Sequence, residues 1–156
     1  MPEIAPSPDY GRSIDKPFNE RAQVLQAWGN YGTIWPVVHQ QLGVRPDLGR
    51  GMIEVVPQVP GGQRRIAGRN IRLGGGFVNV MTSARRAAGV YHTSVLATTG
   101  AVVRVGHTIP YNGERIERVT LDGVRVPYEL RRTNRGREVT VSATPGGLRT
   151  VVIRTG

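Results

Sequence analysis

The spacing of hydrophobic positions changes about one third of the way along the chain. After a proline-rich opening from Met1 to Pro17, which reads as a loop or extended segment, Val24, Leu25, Trp28, Tyr31 and Trp35 recur at i, i+1, i+4, i+7 and i+11. That is one face of a helix. Asn19 is placed to cap it and Glu20 to favour its first turn, while Gly29 and Gly32 weaken it and Pro36 breaks it after Trp35. A second short helix is predicted from Pro36 to Leu42, stopped by Gly43 and Pro46. From Met52 onward the period is two. The runs Met52–Val56, Ile66–Leu73, Phe77–Met81, Val90–Ala97, Ala101–Val105, Arg115–Leu121, Val124–Leu130, Glu138–Ala143 and Thr150–Arg154 are short and bounded by Gly, Pro, Asn or Asp.

These runs predict a mainly β fold, an antiparallel β-sandwich preceded by one or two α-helices. Residues 1–49 hold the loop and helices, and residues 50–156 the sandwich. Asp122-Gly123 signals a hairpin, and Asn134-Arg135-Gly136 a longer turn. The clearest alternation puts Val124, Val126, Tyr128 and Leu130 inward, and Pro127 within it demands an edge or a bulge.

Composition agrees with this division. The 21 Gly and 11 Pro fall in punctuating clusters, as many short strands and turns require. With no Cys, a disulfide framework and thiolate metal sites are excluded. No apolar run is long enough for a membrane span, and the charged, proline-rich opening does not read as a signal peptide.

Charge is divided unevenly. The net +10 separates into four basic against five acidic residues over 1–49, and 17 against six over 50–156. All basic residues but Lys16 are arginine, scattered singly or in pairs such as Arg64-Arg65, Arg85-Arg86 and Arg131-Arg132. The pattern fits a solvated face first, a surface for an anionic polymer second and pairing with an acidic partner third. Specific nucleic-acid binding is not expected from it.

Catalytic signatures are few. His39, His92 and His107 are too far apart to form a local metal-ligand pattern, so no metal site or cofactor is expected, and Gly74-Gly75-Gly76 reads as a turn. Carboxylates and aromatics remain. Trp28, Tyr31 and Trp35 are either a helix's core face or stacking platforms for sugar rings. Glu3, Asp9, Asp15 and Glu20 are either surface charges or candidates for a general base.

The segment from Asn19 to Gly43, with Trp-Gly-Asn-Tyr-Gly and Trp-Pro-Val-Val-His, followed by Met52–Pro60 and Ala67–Gly74, resembles the end of an (α/α)6-barrel glycoside hydrolase passing into its C-terminal β-domain. Among these six-hairpin glycosidases, the glucoamylase-like and glycogen-debranching enzymes are the most similar. The resemblance implies that the aromatic helices close a barrel and that the partners are a missing N-terminal barrel and an oligo- or polysaccharide. It also implies a catalytic carboxylate pair. Glu3 best matches the general base, with Glu20 the fallback, and Trp28, Tyr31 and Trp35 would line the substrate site. The general acid would lie outside this chain, which is therefore expected to lack hydrolase activity alone. Two alternatives are a free-standing carbohydrate-binding β-sandwich and an arginine-rich anion-binding domain.

Overall fold

The computed structural model describes residue 32 and residues 34–156. A helical segment of wide, π-type turns covers Trp35–Gln41, close to the expected second helix. One compact unit runs from Val38 to Gly156 and includes the end of this segment. It is mainly β, with two sheets sharing one core.

The five-stranded sheet has the order β1 (Val44–Asp47), β2 (Met52–Val55), β6 (Val102–Ile109), β10 (Gly136–Ala143) and β9 (Glu129–Thr133). The six-stranded sheet has the order β3 (Arg65–Leu73), β4 (Gly76–Arg85), β5 (Val90–Ala97), β11 (Leu148–Thr155), β7 (Ile116–Leu121) and β8 (Val124–Arg125). Neighbours pair antiparallel except β2 and β6, which run parallel. The expected all-antiparallel sandwich is thus interrupted once. The chain reaches β6 only after building β3, β4 and β5 in the other sheet, and it re-enters beside β2 in the same direction.

Alternation along the strands supplies the core. Ile53 and Val55 from β2, Val103, Val105 and Ile109 from β6, and Val139 and Val141 from β10 meet Val78 and Val80 from β4, Tyr91 and Val95 from β5, and Val151 and Ile153 from β11. These β-branched side chains suit a pleated, buried surface. The segment before β1 is tied to the loop after β2, since Val56 N–H donates to Gly43 O at 3.0 Å and Gln58 N–H to Gln41 O at 2.9 Å. Gly43 must be glycine. Its φ is +65°, and a Cβ there would stand 2.1 Å from Val56 O.

One polar cluster crosses the core. His107 Nδ1 on β6 lies 3.1 Å from both Thr82 Oγ1 on β4 and Thr93 Oγ1 on β5, linking the two sheets. Thr82 gives its own proton to His92 O, so its oxygen must accept within the cluster. An Nδ1–H tautomer of His107 satisfies it. Burial pushes the imidazole down to about 3, so it is neutral through most of the pH range.

Two sequence expectations fail here. Pro46, expected with Gly43 only to stop the second helix, lies within the strand Val44–Asp47, where it is tolerated because β1 is an edge. Val124–Leu130 is not one strand with an inward apolar face. Val124, Tyr128 and Leu130 are exposed, and only Val126 packs against the core. The chain ends β8 at one edge of the six-stranded sheet and starts β9 at an edge of the five-stranded one, with Pro127 between them. A strand that switches sheets at a bend loses its alternation.

Candidate functional site

The expected catalytic and substrate-binding residues Glu3, Glu20, Trp28 and Tyr31 lie outside the described residues. Trp35 opens the helical segment and is partly exposed. Among the described residues no group of three or more His, Asp or Glu is placed to hold a metal ion. The chemistry that can be described is therefore that of the sandwich, and it is dominated by arginine.

On the outer face of the five-stranded sheet, arginines meet carboxylates. Glu54 on β2 and Glu138 on β10 are both buried, and β6 runs between them. Arg45 reaches over from β1, its Nη1 2.7 Å from Glu54 Oε1 and its Nη2 2.7 Å from Glu138 Oε1. Arg131 comes from β9 at the other edge, with Nη2 2.6 Å from Glu54 Oε1 and Nε 2.9 Å from Glu138 Oε2. Burial alone would raise the Glu138 carboxyl. The Arg45 and Arg131 hydrogen bonds outweigh it and hold the group below its usual range. Arg45 and Arg131 are raised in turn, chiefly by their bonds to Glu138. Arg104 pairs with Glu129 further along the same face.

Gly106, in the middle of β6, leaves the close approach of β10 possible. A Cβ at that position would lie 1.9 Å from Val139 O. Both sandwich carboxylates with buried positions are thus engaged by guanidinium groups on two sides. Neither carboxylate is free to activate water, and Glu138, held below its usual range, is not a proton donor at neutral pH.

Other arginines clamp loops. Arg86 donates to Val59 O, Pro60 O and Gln63 O, and Arg135 to Gln40 O, Val56 O and Thr108 Oγ1. Arg137 holds Glu114 O, and Arg149 bonds Asp122 and Thr144. The scattered arginines expected to form a solvated face are in these cases structural.

The outer face of the six-stranded sheet is different. Register places Arg65, Ser83, His92, Val152, Thr120 and Arg125 in one row across all six strands. A neighbouring row holds Arg85, Val90, Arg154 and Arg118. Neither row contains a carboxylate. Among the described residues, Arg65, Arg85, Arg118, Arg125 and Arg154 make no ion pair or hydrogen bond through their side chains. Arg154 and Arg118 stand directly opposite one another, an unfavourable cross-strand pair.

At the β3 edge this face opens into a cleft of about 640 Å³, with Arg64, Arg65, Ser83, Arg85 and Arg86 in its wall. The β3–β4 pairing converges the sequence pairs Arg64-Arg65 and Arg85-Arg86 on one place. The two pairs are visible in the sequence, but their convergence is not. A signal was present: no Asp or Glu occurs between Glu54 and Glu114, while seven arginines do. That acid-free stretch forms β3, β4, β5 and β6.

Comparison with family models, with curated proteins and with solved structures finds no match to this chain. No helix among the described residues is long and apolar enough to cross a membrane.

Proposed function

We propose that this chain is the C-terminal part of a six-hairpin glycoside hydrolase of the glucoamylase-like or glycogen-debranching kind, in which the β-sandwich is a non-catalytic bracing domain. The observation that carries this reading is the interlock of two stretches that share the resemblance. His39–Gly43 closes the Trp-Pro-Val-Val-His segment, and Met52–Pro60 follows it in sequence. Gly43 and Gln41 accept backbone hydrogen bonds from Val56 and Gln58. Both bonds tie the end of that segment into the sandwich, which supports a chain that passes directly from helix to β-domain.

The state of the sandwich carboxylates is consistent with the non-catalytic role. Glu54 and Glu138 are held by arginines, and His107 is buried and neutral. Catalysis would fall to residues before the sandwich, with Glu3 as general base, Glu20 as fallback, and Trp28, Tyr31 and Trp35 stacking on sugar rings. The general acid would come from the barrel. An isolated base without its acid and pocket walls cannot organise the reaction. The purified 156-residue chain is therefore expected to release no glucose from maltose or an α-glucan. The product of an in-frame upstream extension is expected to do so, and to lose stability when residues 50–156 are removed. Activity of the short chain, or an extension with no hydrolase activity, would defeat the reading.

A carbohydrate-binding sandwich is the second reading, and one observation favours it. Tyr128, expected to face inward, is instead exposed beside a hollow of about 320 Å³ that Pro127, Glu129 and Thr140 help to line. Affinity electrophoresis in glycogen separates the two readings, because a bracing domain is not retarded.

A further inference from the structure

We propose that the cleft at the β3 edge of the six-stranded sheet binds a compact multivalent oxyanion, a di- or triphosphate group, between Arg65 and Arg85. This site is independent of the glycosidase reading.

The geometry begins with the register. Arg65 pairs with Ser83, and Arg85 lies two residues beyond Ser83 on the same strand and the same face. Arg65 and Arg85 are thus diagonal cross-strand neighbours, a relation that sets residues about 7–8 Å apart. Two planar guanidinium forks at this spacing can each offer a bidentate pair of N–H donors to one phosphate of a bridging ligand. Without an anion they only repel. Arg64 adds a third exposed guanidinium at the mouth of the cleft, and Ser83 supplies a hydroxyl in its wall.

The cleft is held open by parts that are already committed. Arg86 lines it, its guanidinium fixed on the carbonyls of Val59, Pro60 and Gln63. Those bonds pin the loop that forms one wall to the turn Arg86–Ala88 that forms another. Gly89 closes the turn at φ +61°, against Thr155 O, where a Cβ would come within 2.3 Å. The fixed positive charge of Arg86 remains close by, and no carboxylate lines the cleft. Water or an anion must satisfy Arg64, Arg65 and Arg85, and a polyphosphate satisfies them together.

Charge elsewhere on the sheet supplies the control. Arg118 and Arg154 have the same sign and exposure class but stand three and two strands from Arg85 and line a separate hollow. If binding is a property of the cleft, those two do not matter. The experiment is calorimetric titration of the full chain with pyrophosphate and with tripolyphosphate, repeated across a salt series. Saturable binding of one ligand per chain is expected. It should weaken about tenfold or more in Arg65→Gln/Arg85→Gln, as charge-assisted hydrogen bonds to phosphate require, and change less than about twofold in Arg118→Gln/Arg154→Gln. Among the described residues none of the four arginines has a partner to lose, so circular dichroism should be unchanged and the melting temperature should fall in neither double variant. Absence of saturable binding, or an equal loss in the two double variants, would overturn the proposal and reduce the face to diffuse positive charge.

Discussion

The two outer faces of the sandwich both carry arginines and use them in opposite ways. On the five-stranded sheet Arg45, Arg131 and Arg104 are paired with Glu54, Glu138 and Glu129. On the six-stranded sheet Arg65, Arg85, Arg118, Arg125 and Arg154 face solvent with no acidic neighbour in their register rows. The first face spends its charge internally, and the second offers it outward. Net charge of the chain says nothing of this division, because the same residue type builds a clamp in one place and an electrostatic surface in the other.

The largest loss of stability is expected at Gly106. Gly106→Ala forces a Cβ into the β10 backbone beneath the paired face and should destabilise by about 3 kcal/mol or more in chemical denaturation. A change within about 0.5 kcal/mol would show that β6 and β10 can separate freely. Next comes the carboxylate itself. Glu138→Gln leaves Arg45 and Arg131 facing a neutral group and should cost about 2–4 kcal/mol, less than a fully buried pair because Arg131 is half exposed. The same measurement on Arg154→Gln should give a few tenths of a kcal/mol, in the stabilising direction, since it relieves the pair with Arg118.

Acid sharpens the contrast by a different route. His107 titrates near 6.5 when unfolded and at about 3 when folded, so between these values the unfolded chain holds a proton that the folded chain does not. Stability must then fall as pH drops from 6.5 toward 3, at up to about 1.4 kcal/mol per pH unit from this group. Glu138, whose folded value lies below its ordinary one, contributes stability that is present above about 4.5 and is lost as pH falls through the folded value. Denaturation of His107→Gln between pH 6.5 and 4.5 should show a slope shallower by about one proton. An unchanged slope would mean that His107 is not the buried neutral group described. The smallest effect expected is salt: raising ionic strength should alter Arg118→Gln and the parent chain by amounts differing by about 0.5 kcal/mol or less.

Much of the sandwich is legible in the chain, and the exceptions have physical causes. Val90–Ala97 is a strand with the bounds that its composition predicts, because a central strand packed on both sides follows its own β-branched residues. The alternation from Val124 to Leu130 misleads because it straddles two edges, where no facing sheet enforces inward and outward positions. Val44–Asp47 was hidden by Pro46, which only an edge strand accommodates. Neither charged site could be assembled from local spacing. Glu54 and Glu138 meet Arg45 and Arg131 across all five strands of one sheet, and that adjacency depends on strand order. The arginine cleft was closer to hand. Its two Arg-Arg pairs and the lack of any acid from Val55 to Gly113 are visible in the sequence, and only the hairpin register was needed to join them.

The parallel pairing of β2 with β6 sets an order of events for a nascent chain. When the β1–β2 hairpin has left the ribosome, its hydrogen-bonding edge has no strand to receive it until Val102–Ile109 is synthesised. The hairpin must wait through the whole of β3, β4 and β5, which can already pair among themselves as a meander. Contacts of such long sequence separation place the domain among slow folders, in the millisecond-to-second range. During that wait Pro46 blunts the β1 edge of the hairpin, while the β2 edge that awaits β6 is guarded only by the charge of Glu54.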